Sequence, residues 1–189
     1  MKLNKLLILS SVLLAVSCQS TASSQRSVSI SGLVPMSGTA SETISNTESD
    51  VDRSGVAVRL ENRDGAIGLG VEIRQATYND PSNAAPDSDG IELAGFFRRY
   101  LEDSNNSAFL EASPILGLGL ENDLGIETSS YALLRLAAGY RWSLAEDIFI
   151  DVDAGYYLTL MSTDIDVVGS ETSIEVDGID VTLAIGMHF

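Results

Sequence analysis

The last nine residues of the chain, 181–189, alternate between large apolar side chains and small or polar ones. Because neighbouring side chains of a β-strand point to opposite faces, the segment predicts a strand with one continuous apolar face that ends at Phe189. The other face carries the only histidine of the chain, His188. Such a strand has to cover its apolar face with a protein core or with lipid, and the remaining segments distinguish these two possibilities.

Similar alternation recurs in about eight segments, joined alternately by long and short polar connections. Asp64-Gly65 is a strong signal for a tight hairpin turn, whereas the polar stretch 35–53 is expected to be a loop. The predicted fold class is all-β, an up-and-down antiparallel barrel of about eight strands. The predicted strands cover residues 27–34, 54–63, 66–78, 90–101, 107–120 and 130–142, with a seventh that starts at 148 and an eighth that ends at 189.

The faces opposite the apolar ones carry arginines and carboxylates. A soluble, lipocalin-like barrel would expose these charges and enclose the apolar faces. A transmembrane barrel would do the reverse, and we favour it because the apolar faces run for about ten residues, an aromatic pair (Tyr140, Trp142) lies where an interfacial belt is expected, and terminal Phe189 has no role in a soluble barrel. Because unpaired charges are costly in a narrow interior, we expect a salt-bridged lumen network. Its predicted members are Arg59, Glu61, Glu72, Arg74, Glu92, Arg98, Glu111, Arg135, Arg141, Asp151 and Asp153.

The closing strand with Phe189 resembles that of bacterial outer-membrane barrels, and the layout resembles the OmpA-type and OmpX-type families, which are small and porin-like. The resemblance implies that Phe189 is an assembly signal read by the barrel-insertion machinery. It also implies a monomer in the bacterial outer membrane, surrounded by membrane lipids and lipopolysaccharide, with both termini periplasmic. Since it rests on pattern and not on a diagnostic motif, it bears on fold more than on function.

The amino terminus predicts export. Lys2 and Lys5 precede an apolar run, 6–16, that is too short to span a bilayer as a helix, which is typical of a signal peptide. The small residues before Cys18 resemble a bacterial lipoprotein box and imply lipidation of this cysteine; the alternative is an ordinary signal peptide. We divide the chain into a signal peptide (1–17), a polar linker (18–26) and a barrel (27–189).

Charge and residue types exclude several function classes. The chain has 11 basic and 27 acidic residues, so nucleic acid is not an expected partner. Lipid A deacylases require a His/Ser pair with a carboxylate, in a His-x-Ser pattern, whereas the positions around His188 lack that pattern and have no serine. No spacing indicates a metal or cofactor site, and we expect neither. The chain is therefore not expected to be an enzyme.

Two local features carry further expectations. Pro114 lies within the fifth segment and cannot donate to a ladder, so we expect a β-bulge there. Residues 162–177 alternate with acidic side chains outward, as in a hairpin that projects beyond the membrane with its tip near Gly169; the alternative is an unordered loop with chance alternation.

Three functions remain open. The first is a structural or surface-interaction role through acidic extracellular loops. The second is a narrow channel or transporter for small solutes. The third, a lipid-modifying enzyme, ranks last.

Overall fold

The described part of the chain folds almost entirely into β-strands. The computed structural model describes residues 24–42, 47–79, 88–122, 127–128, 131–162, 165–167, 170–172 and 174–189. Its strands are β1 (Gln25–Glu42), β2 (Thr47–Asp50), β3 (Asp52–Asp64), β4 (Ile67–Asn79), β5 (Ser88–Tyr100), β6 (Ser107–Asn122), β7 (Glu127–Thr128), β8 (Tyr131–Ser143), β9 (Ile148–Ser162), β10 (Ile165–Val167), β11 (Ser170–Thr172) and β12 (Ile174–His188). The described residues include no helix long and apolar enough to cross a membrane.

Eight long strands form a closed, up-and-down antiparallel barrel in the order β1, β3, β4, β5, β6, β8, β9, β12, and β12 pairs with β1 to close it. If the paired residues are followed from strand to strand around the barrel, starting at Pro35 on β1, the path returns to β1 at Gln25, ten residues earlier. This offset is the shear of the barrel. For eight strands, this shear corresponds to a strand tilt of about 40° to the barrel axis. The successive partners on the way are Asp180, Gly155, Ala137, Glu111, Arg98, Gly68 and Arg63.

The two ends of the barrel differ in their connections. At one end, here called the terminal end, β1 begins, β12 finishes and the three short turns lie. Gly65 adopts a positive φ of 57° in the β3–β4 turn, as the Asp64-Gly65 signal predicts. The four long connections lie at the opposite end, here called the connection end.

The exterior of the barrel is apolar. Alternation along each strand turns large aliphatic and aromatic side chains outward, and Val56 is 61% exposed. Monomeric soluble proteins rarely expose so continuous an apolar surface, whereas lipid-facing barrels require one. The soluble, lipocalin-like alternative is therefore wrong, because the charged faces point inward. Exposed side chains around the barrel include Ile30, Val58, Leu69, Ile73, Ile91, Phe97, Leu110, Leu116, Leu136, Leu160, Leu183 and Ile185.

The predicted loop 35–53 is largely strand. β1 continues to Glu42 and pairs with both β12 and β2, with a bulge between Pro35 and Ser37. The prediction was wrong because serine and threonine are polar in composition yet compatible with an extended ladder. Between β9 and β12 in the chain, β10 and β11 pair as a separate hairpin, from Ile165 opposite Thr172 to Val167 opposite Ser170.

The bulge expected at Pro114 is absent. Pro114 pairs regularly with Leu134 on β8. On its β5 side, no pairs form at Gly95 and Phe96, but the register is the same before and after this gap. Proline removes ladder contacts on one side only, so the strand needs no extra residue. The bulge of the β5–β6 ladder lies instead at Gly90–Ile91, opposite Leu120 and Leu118.

Met161 points outward, not inward as strict alternation along β9 predicts. The β8–β9 register shifts by one residue between Ala132, which faces Met161, and Leu133, which faces Thr159. Because one extra residue reverses the faces that follow it, Met161 is 71% exposed.

Candidate functional site in the barrel interior

The interior of the barrel is filled with charged side chains. Seven arginines and seven carboxylates are buried among the described residues. Seven of the eight barrel strands contribute to this lumen network; the exception, β1, turns serines inward. The buried charges are Arg53, Arg59, Arg63, Arg74, Arg98, Arg135 and Arg141 with Glu61, Glu72, Glu92, Glu111, Asp151, Asp153 and Asp180.

Toward the connection end, Arg53 and Glu92 form one group of the network. The Nε group of Arg53 donates to Glu92 Oε1 at 3.0 Å, and its Nη1 group donates to Asp180 Oδ2 at 3.2 Å. Glu92 Oε1 also accepts from the hydroxyls of Tyr78 at 2.8 Å and Tyr131 at 2.9 Å. Glu92 is thus surrounded by donors from three other strands, which satisfies a buried carboxylate.

Apolar side chains lie beside this group inside the barrel. Ala94, Ile115, Leu133 and Tyr157 form a buried cluster against which Tyr131 and Val176 pack. The cluster narrows the lumen near the connection end, and the arginines are stacked on rings deeper inside.

Glu111 is the central node. Its Oε2 atom accepts from Arg98 Nε at 2.9 Å and Nη2 at 2.7 Å, and its Oε1 atom accepts from Arg59 at 2.8 Å. Arg135 Nη1 lies 3.5 Å from the same oxygen. Ser113 Oγ donates to Oε1 at 2.8 Å. Three arginines therefore share one carboxylate in a fully buried position.

Two further groups extend the centre across the lumen. Arg135 donates to Asp180 Oδ1 through Nε at 2.8 Å and Nη2 at 2.6 Å, and it also pairs with Asp153. Glu72 pairs with both Arg59 and Arg74. The Arg135–Asp180 contact connects β8 to β12, which are not neighbours in the sheet. The Arg135–Asp153 and Arg59–Glu72 pairs join neighbouring strands, and Arg74 lies on the same strand as Glu72.

Toward the terminal end, Arg141 forms a two-point pair with Asp151. Its Nε and Nη2 groups lie 2.7 Å from Oδ1 and Oδ2 respectively. Nη2 also donates to Glu61 Oε2 at 2.7 Å, and the hydroxyl of Tyr100 donates to Glu61 Oε1 at 2.7 Å. Bidentate geometry of this kind is the strongest form of arginine–carboxylate pairing.

Aromatic rings fill the space between the guanidinium groups. Arg98 lies 3.9 Å from the ring centroid of Phe109, and Arg141 lies 3.9 Å from that of Phe149. The remaining room comes from glycine: a Cβ atom on Gly117 would lie 2.0 Å from the Tyr131 ring, and one on Gly155 would lie 2.7 Å from Arg135 Cζ. With rings, guanidiniums and carboxylates in contact, the interior is a packed ionic core and not an open bore.

No protein-family model matches the chain, and no curated protein sequence matches it. Solved structures do match. Neisserial surface protein A (NspA) superposes with a TM-score of 0.61 at 12% identity, over 87% of this chain and 97% of that protein. The outer membrane protein OprG from Pseudomonas aeruginosa gives a TM-score of 0.56 at 10% identity, over 88% of this chain and 96% of OprG. The fold is that of the small outer-membrane β-barrels.

A third outer-membrane barrel, the attachment invasion locus protein Ail of Yersinia pestis, gives a TM-score of 0.50 at 16% identity, over 88% of this chain and 99% of Ail. That structure contains the heparin analogue sucrose octasulfate. At such identities, the similarity extends to the architecture of the outer-membrane barrel and not to its ligands.

Every residue of the predicted lumen network lies inside this outer-membrane barrel and has an oppositely charged partner within 4.0 Å. Three buried charges were missed. Arg53 was missed because it lies in the stretch predicted as a loop. Arg63 and Asp180 are an even number of residues from the inward-facing Arg59 and Thr182, so strict alternation along β3 and β12 predicts that they also face inward. The sequence did not indicate that Tyr78 and Tyr131 donate to Glu92, because Glu92 lies on a different strand from both tyrosines.

Phe189 and its neighbour His188 lie at the terminal end of the barrel. Phe189 is 72% exposed, and its N–H group donates to the Arg26 carbonyl across the closing seam at 2.9 Å. His188 is buried, and its ring stacks on Phe149 with centroids 4.7 Å apart. Cys18 lies outside the described residues. Within the described ranges, no group of side chains is arranged to hold a metal ion.

Proposed function

We propose that the protein is a closed, non-enzymatic outer-membrane barrel that presents acidic loops at the cell surface. The observation that carries this proposal is the filled interior, in which seven arginines and seven carboxylates are buried together. A rigid, neutral core of this kind supports a scaffold role, since a solute would have to break several buried ion pairs to pass.

The part of the scaffold that interacts is the connection end. The segments 42–52, 80–89, 121–127 and 164–177 contain 15 acidic residues and no lysine, arginine or histidine. This charge disfavours a polyanion such as the sugar sulfate bound to Ail. It favours cationic partners, or lipopolysaccharide phosphates bridged to the loops by divalent cations.

The orientation we infer is with both termini in the periplasm. Described arginines with exposed side chains, Arg26 and Arg99, lie near the terminal end. The exposed residue Trp142, whose ring centroid lies 4.6 Å from that of Tyr140, is also near this end and suits an interfacial belt. We also propose that Cys18 is acylated and anchors the linker in the same leaflet, and the mass of the mature amino terminus tests this point.

Planar-bilayer recording tests the closed barrel. We expect the purified, folded protein to give no unitary conductance at neutral pH. The double variant Arg98→Ala/Glu111→Ala removes two central side chains without changing the interior charge balance, and we expect it to conduct if it folds. Folding of both proteins is checked by heat-modifiable gel mobility. Conductance by the folded wild-type protein would favour the narrow-channel alternative.

Binding to lipopolysaccharide-containing vesicles tests the acidic loops. We expect the vesicles to retain the purified barrel in the presence of Mg²⁺ and to release it when a chelator removes the cation. Neutralising described carboxylates at the connection end (Asp50→Asn, Asp89→Asn) should weaken this retention, whereas Asp147→Asn at the terminal end serves as the matched control. Retention that is unchanged by chelator and by the loop variants would contradict a cation-bridged role.

A further inference from the structure

The apolar band on the outside of the barrel differs in height from one side to the other. On β9, every outward side chain over positions 148–160 is aliphatic or aromatic. The twelve residue steps between these positions correspond to about 31 Å along the barrel axis, at about 3.4 Å per residue and a tilt of about 40°. This height is more than the roughly 25 Å that is usual for an outer-membrane barrel.

The band is much shorter on β3 and β4, which lie across the barrel from β8 and β9. On β4 it extends over positions 67–73, or about 16 Å, and on β3 over positions 56–60, or about 10 Å. Polar side chains follow toward the connection end, Gln75 on β4 and Ser54 on β3. The outward face of residues 54–60 and 67–75 is here called the short sector.

The polar residues of the short sector lie at a height where the opposite side is still apolar. Gln75 and Tyr156 are each eight residues from the start of a strand that leaves a short turn at the terminal end, so they lie at about the same height. Gln75 is exposed, and in hydrocarbon its amide would have no water to bind. On the same strand, Thr77 Oγ1 donates to the exposed carboxylate of Asp89 at 2.6 Å. Because a carboxylate is strongly disfavoured in hydrocarbon, the polar phase has to reach this height beside β4.

Tilting the whole barrel in the bilayer does not remove the difference. At the terminal end, the outward residues of β3 beyond Leu60 are Asn62 and Asp64. On β5, the exposed Arg99 lies opposite Ile67 of β4. Polar groups therefore bound the short sector at both ends, and a tilt that lifts one end out of the hydrocarbon pushes the other end into it.

We propose that the short sector binds membrane lipids whose ester and hydroxyl groups are drawn down to Gln75 and Ser54, which makes the bilayer about 10 Å thinner there than beside β9. The carboxamide and the serine hydroxyl offer donors and acceptors to these lipid groups. A short apolar span is accommodated either by thinning of the bilayer or by association with another protein. Thinning is favoured because the next outward residues, Thr77 and Asp52, are also polar. The sector thus opens continuously to the polar connection end and is not a polar patch enclosed by apolar surface.

Nitroxide labels at matched heights test the thinning. In a Cys18→Ser background, Ile73→Cys on β4 and Ala154→Cys on β9 each place a label six residues from the start of the strand. The purified barrel is reconstituted in vesicles of phospholipid and lipopolysaccharide, and collisions with oxygen and with a water-soluble nickel chelate give the depth of each label. We expect the label at position 73 to lie about 10 Å shallower than the label at position 154. Equal depths would overturn the proposal.

Variants separate the polar residues from other causes. Ser54→Val/Gln75→Leu should deepen the label at position 73 by about 5 Å, whereas Gln75→Asn, which keeps the amide, should leave its depth unchanged. Heat-modifiable gel mobility checks that each labelled protein is folded. An unchanged depth in the double variant would overturn the role of these side chains. A label at position 73 that is shielded from both reagents, together with cross-linking between copies, would assign the sector to a second copy of the chain and overturn lipid binding. These outcomes are independent of whether the lumen conducts and of which end faces the cell surface.

Discussion

At the residue scale, the buried charges depend on one another. Glu111 bonds two arginines and lies 3.5 Å from a third. Removing one partner of a buried pair leaves an uncompensated charge, which costs about 3–5 kcal/mol, whereas a surface change usually costs less than about 0.5 kcal/mol.

We therefore expect Glu111→Gln to lower the free energy of unfolding by about 3 kcal/mol or more. Glu102→Gln in the exposed β5–β6 turn is the control, with an expected change below about 0.5 kcal/mol. Reversible urea unfolding in lipid vesicles measures both. Equal effects of the two substitutions would show that the ion pairs at Glu111 contribute nothing net.

Two glycines offer a second comparison. A Cβ atom on Gly117 would collide with the ring of Tyr131, whose hydroxyl donates to Glu92, whereas a Cβ atom on Gly32 would meet no atom within 4 Å. We expect Gly117→Ala to cost about 1–3 kcal/mol through overpacking and Gly32→Ala to be close to neutral. The same urea measurement gives the free energy of unfolding of both variants. An unchanged value for Gly117→Ala would mean that the Tyr131 ring can move without cost.

At the scale of the element, Pro114 opens a gap in one ladder. Gly95 and Phe96 have no partners on β6, although Pro114 pairs with Leu134 on the other side. We expect Pro114→Val to close the gap and slow amide hydrogen exchange at Gly95 and Phe96. NMR exchange rates in micelles measure this, with the outward Leu116→Val as the control. Unchanged exchange in Pro114→Val would assign the gap to the neighbouring chain geometry and not to the missing donor.

The same elements show what alternation can and cannot predict. Parity along β3, β4 and β9 is sufficient to identify the inward charges, because a strand has a fixed two-residue period. Parity fails at Met161, where a bulge in β9 reverses the faces, and at Pro114, where a bulge was expected and is absent. Bulges depend on pairing between strands, which no single segment encodes.

The partners of each charge were also beyond prediction. Arg53 contacts Glu92 and Asp180 because the shear of ten residues brings together these positions on β3, β5 and β12. Strand count follows from the sequence pattern, whereas shear follows from the register of all eight ladders together. The tyrosine donors to Glu92 have the same origin.

At the scale of the whole molecule, orientation is open to a direct test. In a Cys18→Ser background, we expect Asp50→Cys at the connection end to react with a membrane-impermeant maleimide on intact cells. Ser104→Cys at the terminal end should react only after the outer membrane is permeabilised. The reverse pattern would place the acidic connections in the periplasm and remove the basis for a surface role.

The wide sequence separation of the ion pairs constrains how the barrel can assemble. Arg53 on β3 and Asp180 on β12 are 127 residues apart, and Glu61 on β3 and Arg141 on β8 are 80 apart, so neither pair exists until strands from both halves of the chain are in place. An open sheet within the bilayer would turn unpaired guanidiniums and carboxylates toward hydrocarbon, which is strongly unfavourable. Closure of the barrel and entry into the membrane are therefore expected to be one event, because the charges of the seven contributing strands are paired only in the finished lumen.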